Sequence, residues 1–104
     1  MEDLDNRIRR LSDLDRVPLI RELIRIDAQA QELARTGRRA RLGSTTRNRA
    51  EGAQRQSERL GMIIYFLRYR SPASGARAKD MELCHILAEK LQAKGQWTGE
   101  AEIS

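Results

Sequence analysis

The sequence predicts an all-α fold: about four helices in a small bundle, a central helix near residues 44–70, and a bundle completed by dimerisation. Three observations carry this. Apolar residues recur at helical spacing in three stretches, within 4–14, 19–33 and 83–91. Helix starts and stops punctuate them: Asp15 with Pro18, Gly37, Ser44–Thr46 and Gly95. The one β-rich run, Met62–Leu67, has no second run to pair with, so it reads as part of a helix. The 104 residues fit one domain, placed over 1–95, with an acidic tail over 96–104.

In the first helix, residues 3–14, Leu4, Ile8, Leu11 and Leu14 fall on one stripe, with Arg7, Arg9, Arg10 and Asp13 opposite. A second start follows at Asp15, a capping residue, with Pro18 in the first turn, where its missing N–H does no harm. Leu19, Leu23, Ile26, Ala30 and Leu33 then form a heptad-like seam of about two repeats, too short for an independent coiled coil. Glu22 with Arg25, and Glu32 with Arg35, are spaced to pair along the outside. Gly37 is a natural stop, and GRRARLG at 37–43 reads as the connection.

The central helix begins at Ser44, Thr45 or Thr46, any of which caps a first turn, and meets no proline before Pro72. Gly52 and Gly61 each cost it about 1 kcal/mol relative to alanine. Its rear, Leu60–Leu67, is almost continuously apolar. A helix apolar all round must be buried all round. Three short helices are few for that task, and a second copy or a partner is the natural cover. After Arg70, Ser71-Pro72 and Ser74-Gly75 mark a turn. The last helix spans about 76–94, with Leu83, Cys84, Leu87, Ala88 and Leu91 as its stripe, and Gly95 ends it. Trp97 is placed to fold back as a cap on the core.

The chain is basic, with 20 Lys+Arg against 15 Asp+Glu and a net charge of +5, and seventeen of the twenty are arginine. Guanidinium is a planar fork that pairs with carboxylate or phosphate and stacks on aromatic faces. The excess concentrates in 35–59, where Arg35, Arg38, Arg39, Arg41, Arg47, Arg49, Arg55 and Arg59 face only Glu51 and Glu58, a segment charge of +6. The N-terminus has no apolar core of a secretion signal, no run is long enough to span a bilayer, and the lone Cys84 fits a reducing compartment. The localisation these imply is cytoplasmic.

Residues 38–49 have the outline of a helix-turn-helix turn, but the flanking places that must be apolar hold Arg38 and Arg49. RNRAEGAQRQSER at 47–59 resembles the basic region of leucine-zipper transcription factors, with Asn48 two before Ala50, then Ala53, and arginines along one face. That resemblance implies a helix laid in the major groove. It covers about 13 residues and ends where no leucine heptad follows, and an exposed polar helix face is the preferred reading. His85 and Cys84 are neighbours on different helix faces, too few for a zinc site and not aimed at each other for nucleophilic catalysis. No catalytic, metal or cofactor residue is therefore assigned.

The leading functional expectation is a small non-enzymatic regulator acting by protein–protein contact, as an inhibitor or sequestering partner of a larger protein such as a transcription factor. Arg47, Arg49, Arg55, Arg59, Ile63, Phe66 and Tyr69 are its partner-binding candidates, and a homodimer is its expected form. The alternative is direct binding of DNA or RNA through 35–59, with Arg38, Arg39, Arg41, Arg47, Asn48, Arg49 and Arg55 in contact.

Overall fold

The structure is a computed structural model that describes residues 3–39 and 44–97, with side chains described over 3–37 and 48–97. It is all-α, as the periodicity predicts: α1 (Leu4–Leu11), α2 (Arg16–Arg39), α3 (Ser44–Tyr69) and α4 (Ala78–Ala93). No strand occurs among the described residues, so the Met62–Leu67 run is helix. Among these residues no helix is long and apolar enough to cross a membrane.

α1 starts because the Asp3 carboxylate accepts from the Asn6 N–H at 2.9 Å. It buries Ile8 and ends at Leu11; Leu14 lies beyond it and is exposed, so the stripe stops one turn short of its predicted end. α2 begins where Gln96, from the far end of the chain, accepts from the Arg16 N–H at 2.6 Å. Its seam is Leu19, Leu23, Ile26, Ala30, Ala34 and Gly37. Leu33, the predicted fifth seam position, is half exposed, and Ala34 takes its place. The step from 30 to 34 keeps the row facing its partner, because a straight helix drifts from a strict heptad. Gly37 is not a stop: α2 continues to Arg39, with Gly37 buried.

α2 and α3 form an antiparallel hairpin. Ser57 donates to Asp27 at 2.5 Å, and Arg16 donates to the carbonyls of Leu67 and Arg68 at 3.1 and 3.4 Å, covering acceptors that the end of α3 leaves open. Chain sense is reversed for α4. Arg59 meets Asp80 and Phe66 meets His85, so α4 runs in the same sense as α3, and residues 70–77 carry the chain back along the bundle. Arg70 begins that return in a left-handed conformation, φ 54°, after its N–H closes onto Phe66. Gly95 follows the C-cap Lys94 at φ +76°, a conformation glycine adopts without steric cost.

The core is Ile8, Leu19, Leu23, Ile26, Leu60, Ile63, Ile64, Phe66, Leu67, Leu83, Cys84, Leu87, Leu91 and Trp97. Trp97 folds back as the sequence predicts, stacked on Phe66 at 5.8 Å, with the Arg70 guanidinium 4.3 Å from its ring centre. Lys94 holds the turn between α1 and α2 through the Leu14 carbonyl at 2.9 Å.

One premise of the sequence reading is corrected. Helix 60–67 is not apolar all round: Glu58, Gly61, Tyr65 and Arg68 are exposed and form a single solvent stripe at helical spacing. Leu60, Ile63 and Leu67 have no exposed surface in one protomer, and Ile64 and Phe66 are under a tenth exposed. Row 50, 53, 57, 60, 64 and 67 faces α2, while Ile63 and Phe66 are covered on the side of α4. The physical argument for a second copy covering this helix therefore falls away.

Candidate functional site

The α2–α3 hairpin is longer than its companions. α1 and α4 flank its lower part, and the level of the Asp5–Arg59–Asp80 contacts marks where they begin. Beyond that level the two long helices continue as an arm, which accounts for a molecule 49 Å long and only 28 × 23 Å across. The arm seam is made of small residues: Ala30, Ala34 and Gly37 on α2, Ala50 and Ala53 on α3. Small side chains let the backbones lie close, so the outer surface of the arm is left to long polar chains.

Charge follows the same division. Residues 28–56 hold seven arginines against Glu32 and Glu51, a net of +5. The remaining chain holds thirteen cations and thirteen anions and is neutral. The whole net charge of the protein is thus borne by the stretch 28–56 of the sequence.

The predicted site residues separate into three groups. Asn48, Arg49 and Arg55 are exposed on α3, and among the described residues no carboxylate pairs with either arginine. Asn48 and Arg55 share the outward face, with Gly52, Gln56 and Arg49 to one side and Glu51 and Glu58, a heptad apart, to the other. Arg35, also exposed, is paired with Glu32 as its spacing predicts, which raises its pKa by hydrogen bonding and charge. The side chains of Arg38, Arg39, Arg41 and Arg47 lie outside the described residues.

The second group is internal. Ile63 and Phe66 are core residues, and an occupied core side chain offers no docking surface unless the protomer opens. Arg59, expected on a polar rim, is three-quarters buried and bridges Asp5 of α1 and Asp80 of α4. The hydrogen bond to Asp5, opposed by burial and reinforced by Asp80, raises its pKa. Asp80, missed in the sequence, is 5% exposed. Its signal was faint: an acid in the first turn of a helix is ordinary, and a pairing across 21 residues of chain leaves no local pattern. The third group is Tyr69, half-buried, its ring centre 4.7 Å from that of exposed Tyr65 with the two planes tilted by 50°.

Cys84 is buried, and burial first, then the charge of Asp80, pushes its thiol to about 11. It is a core thiol, protonated at neutral pH. His85 is exposed and packs edge-on against Phe66 at 5.6 Å. Among the described residues no group of three or more His, Cys, Asp or Glu side chains is placed to share a metal ion. Comparison with protein-family models, with curated proteins and with solved structures finds no match for this chain.

Proposed function

We propose that this chain is a non-enzymatic binding protein that engages nucleic acid through the phosphate backbone, using the basic arm of the α2–α3 hairpin. The observation that carries the reading is the division of charge along the sequence: +5 over residues 28–56 and none over the remainder. Cations on a phosphate polyanion release condensed counterions, a gain that needs no sequence-specific contact. Arg49 and Arg55, exposed and without carboxylate partners among the described residues, are the assigned contacts, with exposed Asn48 on the same helix, one residue before Arg49. Arg38, Arg39, Arg41 and Arg47 belong to the same basic stretch. Glu51 and Glu58 on the flank oppose close approach on that side, which favours weak, sequence-blind binding over a fitted groove contact.

The measurement is fluorescence anisotropy with random-sequence duplex DNA at two salt concentrations. Binding of roughly 10⁻⁴ to 10⁻⁶ M at physiological salt and a steep salt dependence are the expected results. Arg49→Gln and Arg55→Gln each lower the salt slope by about one. No binding at low salt overturns the reading.

A regulator acting by protein–protein contact is the second reading. It is favoured by Leu33, half exposed on the arm, and by Val17 and Ile24, exposed on the outer face of α2. Arginine is enriched at protein interfaces, and exposed apolar side chains gain from being covered there. In the same experiment this reading predicts no binding of the labelled duplex at either salt concentration.

A further inference from the structure

We propose that the cleft between α3 and the start of α4 is a binding site for a phosphate group. It shares Gly52, Arg55 and Gln56 with the arm and adds residues of α1 and of the start of α4 that the arm surface does not use. The cleft arises because residues 70–77 carry the chain back along α3 and start α4 beside residues 52–59. A space of about 690 Å³ is left there, within the range of small-molecule sites. Leu4 and Met62 give it an apolar part.

By count the cleft is close to balance, with Arg55, Arg59, Arg77 and Lys79 against Asp5, Glu58 and Asp80, a net of +1, and what sets it apart is how those charges are engaged. Asp5 and Asp80 line the cleft, but both are held by Arg59. Glu58 accepts from the Gln54 amide at 3.3 Å. Arg55, Arg77 and Lys79 line it too, and among the described residues no carboxylate pairs with any of them. These three cations have donors that no carboxylate among the described residues takes, and an anion in the cleft can take them. A carboxylate carries one charge and fills one guanidinium fork. A phosphate monoester carries nearly two, and its three terminal oxygens match two forks and an ammonium. Arg77 at the N-cap of α4 gives no side-chain oxygen to the first-turn N–H groups, which add donors to a site already defined by its cavity and cations.

Gly52 supports the assignment. A glycine inside a helix costs about 1 kcal/mol against alanine. Here a Cβ would meet nothing nearer than the Arg55 guanidinium at 4.0 Å, so packing does not demand glycine, while its smallness keeps the cleft open.

The test is titration of the full chain with inorganic phosphate, followed by backbone amide NMR at constant ionic strength, with acetate as control. Saturable shifts at 52–55 and 78–80 with phosphate and not with acetate are expected. Arg77→Gln/Lys79→Gln weakens binding by about tenfold or more. Gly52→Gln, a better helix former whose side chain enters the cleft, abolishes it while Trp97 fluorescence stays native. No saturable shift, or shifts that survive in both variants, overturns the proposal. Duplex DNA then separates the sources. A salt slope lowered by about one or two in Arg77→Gln/Lys79→Gln places these cations on the nucleic-acid backbone, whose phosphodiester carries a single charge, and overturns the monoester site. An unchanged slope with phosphate binding lost makes the ligand a free phosphorylated molecule. If DNA binding fails altogether while phosphate binding stands, only the nucleic-acid reading is lost.

Discussion

The two ends of the α2–α3 hairpin are made from the same two helices and differ in what fills the seam between them. At the closed end Leu19, Leu23, Ile26, Leu60, Ile64 and Leu67 meet, with Ile8, Leu87, Leu91 and Trp97 packed around them. On the arm the same rows hold Ala30, Ala34, Gly37, Ala50 and Ala53. Burial of a leucine side chain contributes about 1.5–3 kcal/mol, and an alanine methyl far less. The closed end therefore supplies most of the folding free energy. The arm is held chiefly by helix continuity and by the Ser57–Asp27 hydrogen bond near its base. Function and stability are separated along one rod, and a charged surface is tolerated where little core depends on it.

Substitutions at the two ends break this comparison most directly. Leu60→Ala and Leu67→Ala, both at positions with no exposed surface, are expected to cost about 2–5 kcal/mol each in urea unfolding followed by the lone Trp97. Ala34→Gly and Ala53→Gly on the arm remove a methyl and add backbone freedom, and should cost only about 1 kcal/mol. Equal losses at both ends would show that the arm seam is as stabilising as the core. Next in size is the polar junction. Asp80→Ala leaves Arg59 with Asp5 alone in a mostly buried position, and a loss of about 2–4 kcal/mol is expected, discounted for the partial exposure of Arg59. If Asp80→Ala is neutral, the junction contributes nothing net and α4 is held by apolar contact alone.

The sequence showed one end of this comparison much better than the other. Stripes of Leu and Ile at helical spacing give α1, the start of α2 and α4 to within a few residues, because large apolar side chains leave a strong periodic signal. The arm seam is harder to see. Alanine and glycine are neither clearly apolar nor polar, so the row drifted unnoticed from Leu33 to Ala34, and Gly37 read as a stop. Helix 60–67 misled in the opposite sense. Tyr65 and Gly61 count as non-polar on hydropathy, yet with Glu58 and Arg68 they form the face that meets water. That stripe, together with α4 returning parallel to α3, is how one protomer covers what looked too apolar to cover. Among the site residues, exposure of Asn48, Arg49 and Arg55 follows from the pattern, whereas the engagement of Arg59 depends on pairings with residues 5 and 80 that only the fold brings near.

The closed end also carries a pH dependence of its own. The Cys84 thiol is buried and titrates near 11 in the folded chain, against 9.0 for an ordinary thiol. The raised value means the folded state keeps its proton where the unfolded state has lost it. Its contribution is intact below pH 9 and lost as pH rises from 9 towards 11. A shift of this size corresponds to at most about 2–3 kcal/mol. Tyrosines and lysines titrate in the same window, so the quantity to measure is the difference between wild type and Cys84→Ala. That difference should narrow steeply over this range and stay constant below it. A difference independent of pH would mean that the thiol ionises freely in the native protein. The same burial predicts a slow reaction with a thiol reagent at neutral pH, limited by opening of the closed end.

The smallest effect is a gain, and it separates the two helix glycines. Gly61 lies on the solvent stripe of α3, and a Cβ there meets nothing within 4 Å. Gly61→Ala should stabilise by about 0.5–1 kcal/mol through lower backbone entropy in the unfolded chain, raising Tm by several degrees in a domain of this size. It should leave DNA and phosphate binding unchanged, because residue 61 lines neither the arm nor the cleft. Gly52→Ala sits half-buried in the cleft wall with only the Arg55 guanidinium at 4.0 Å, and should gain a similar amount. Its difference from Gly61→Ala then appears in binding alone. If both substitutions stabilise equally and neither touches phosphate binding, a single methyl at residue 52 is tolerated, and the longer side chain of Gly52→Gln is needed to occupy the cleft.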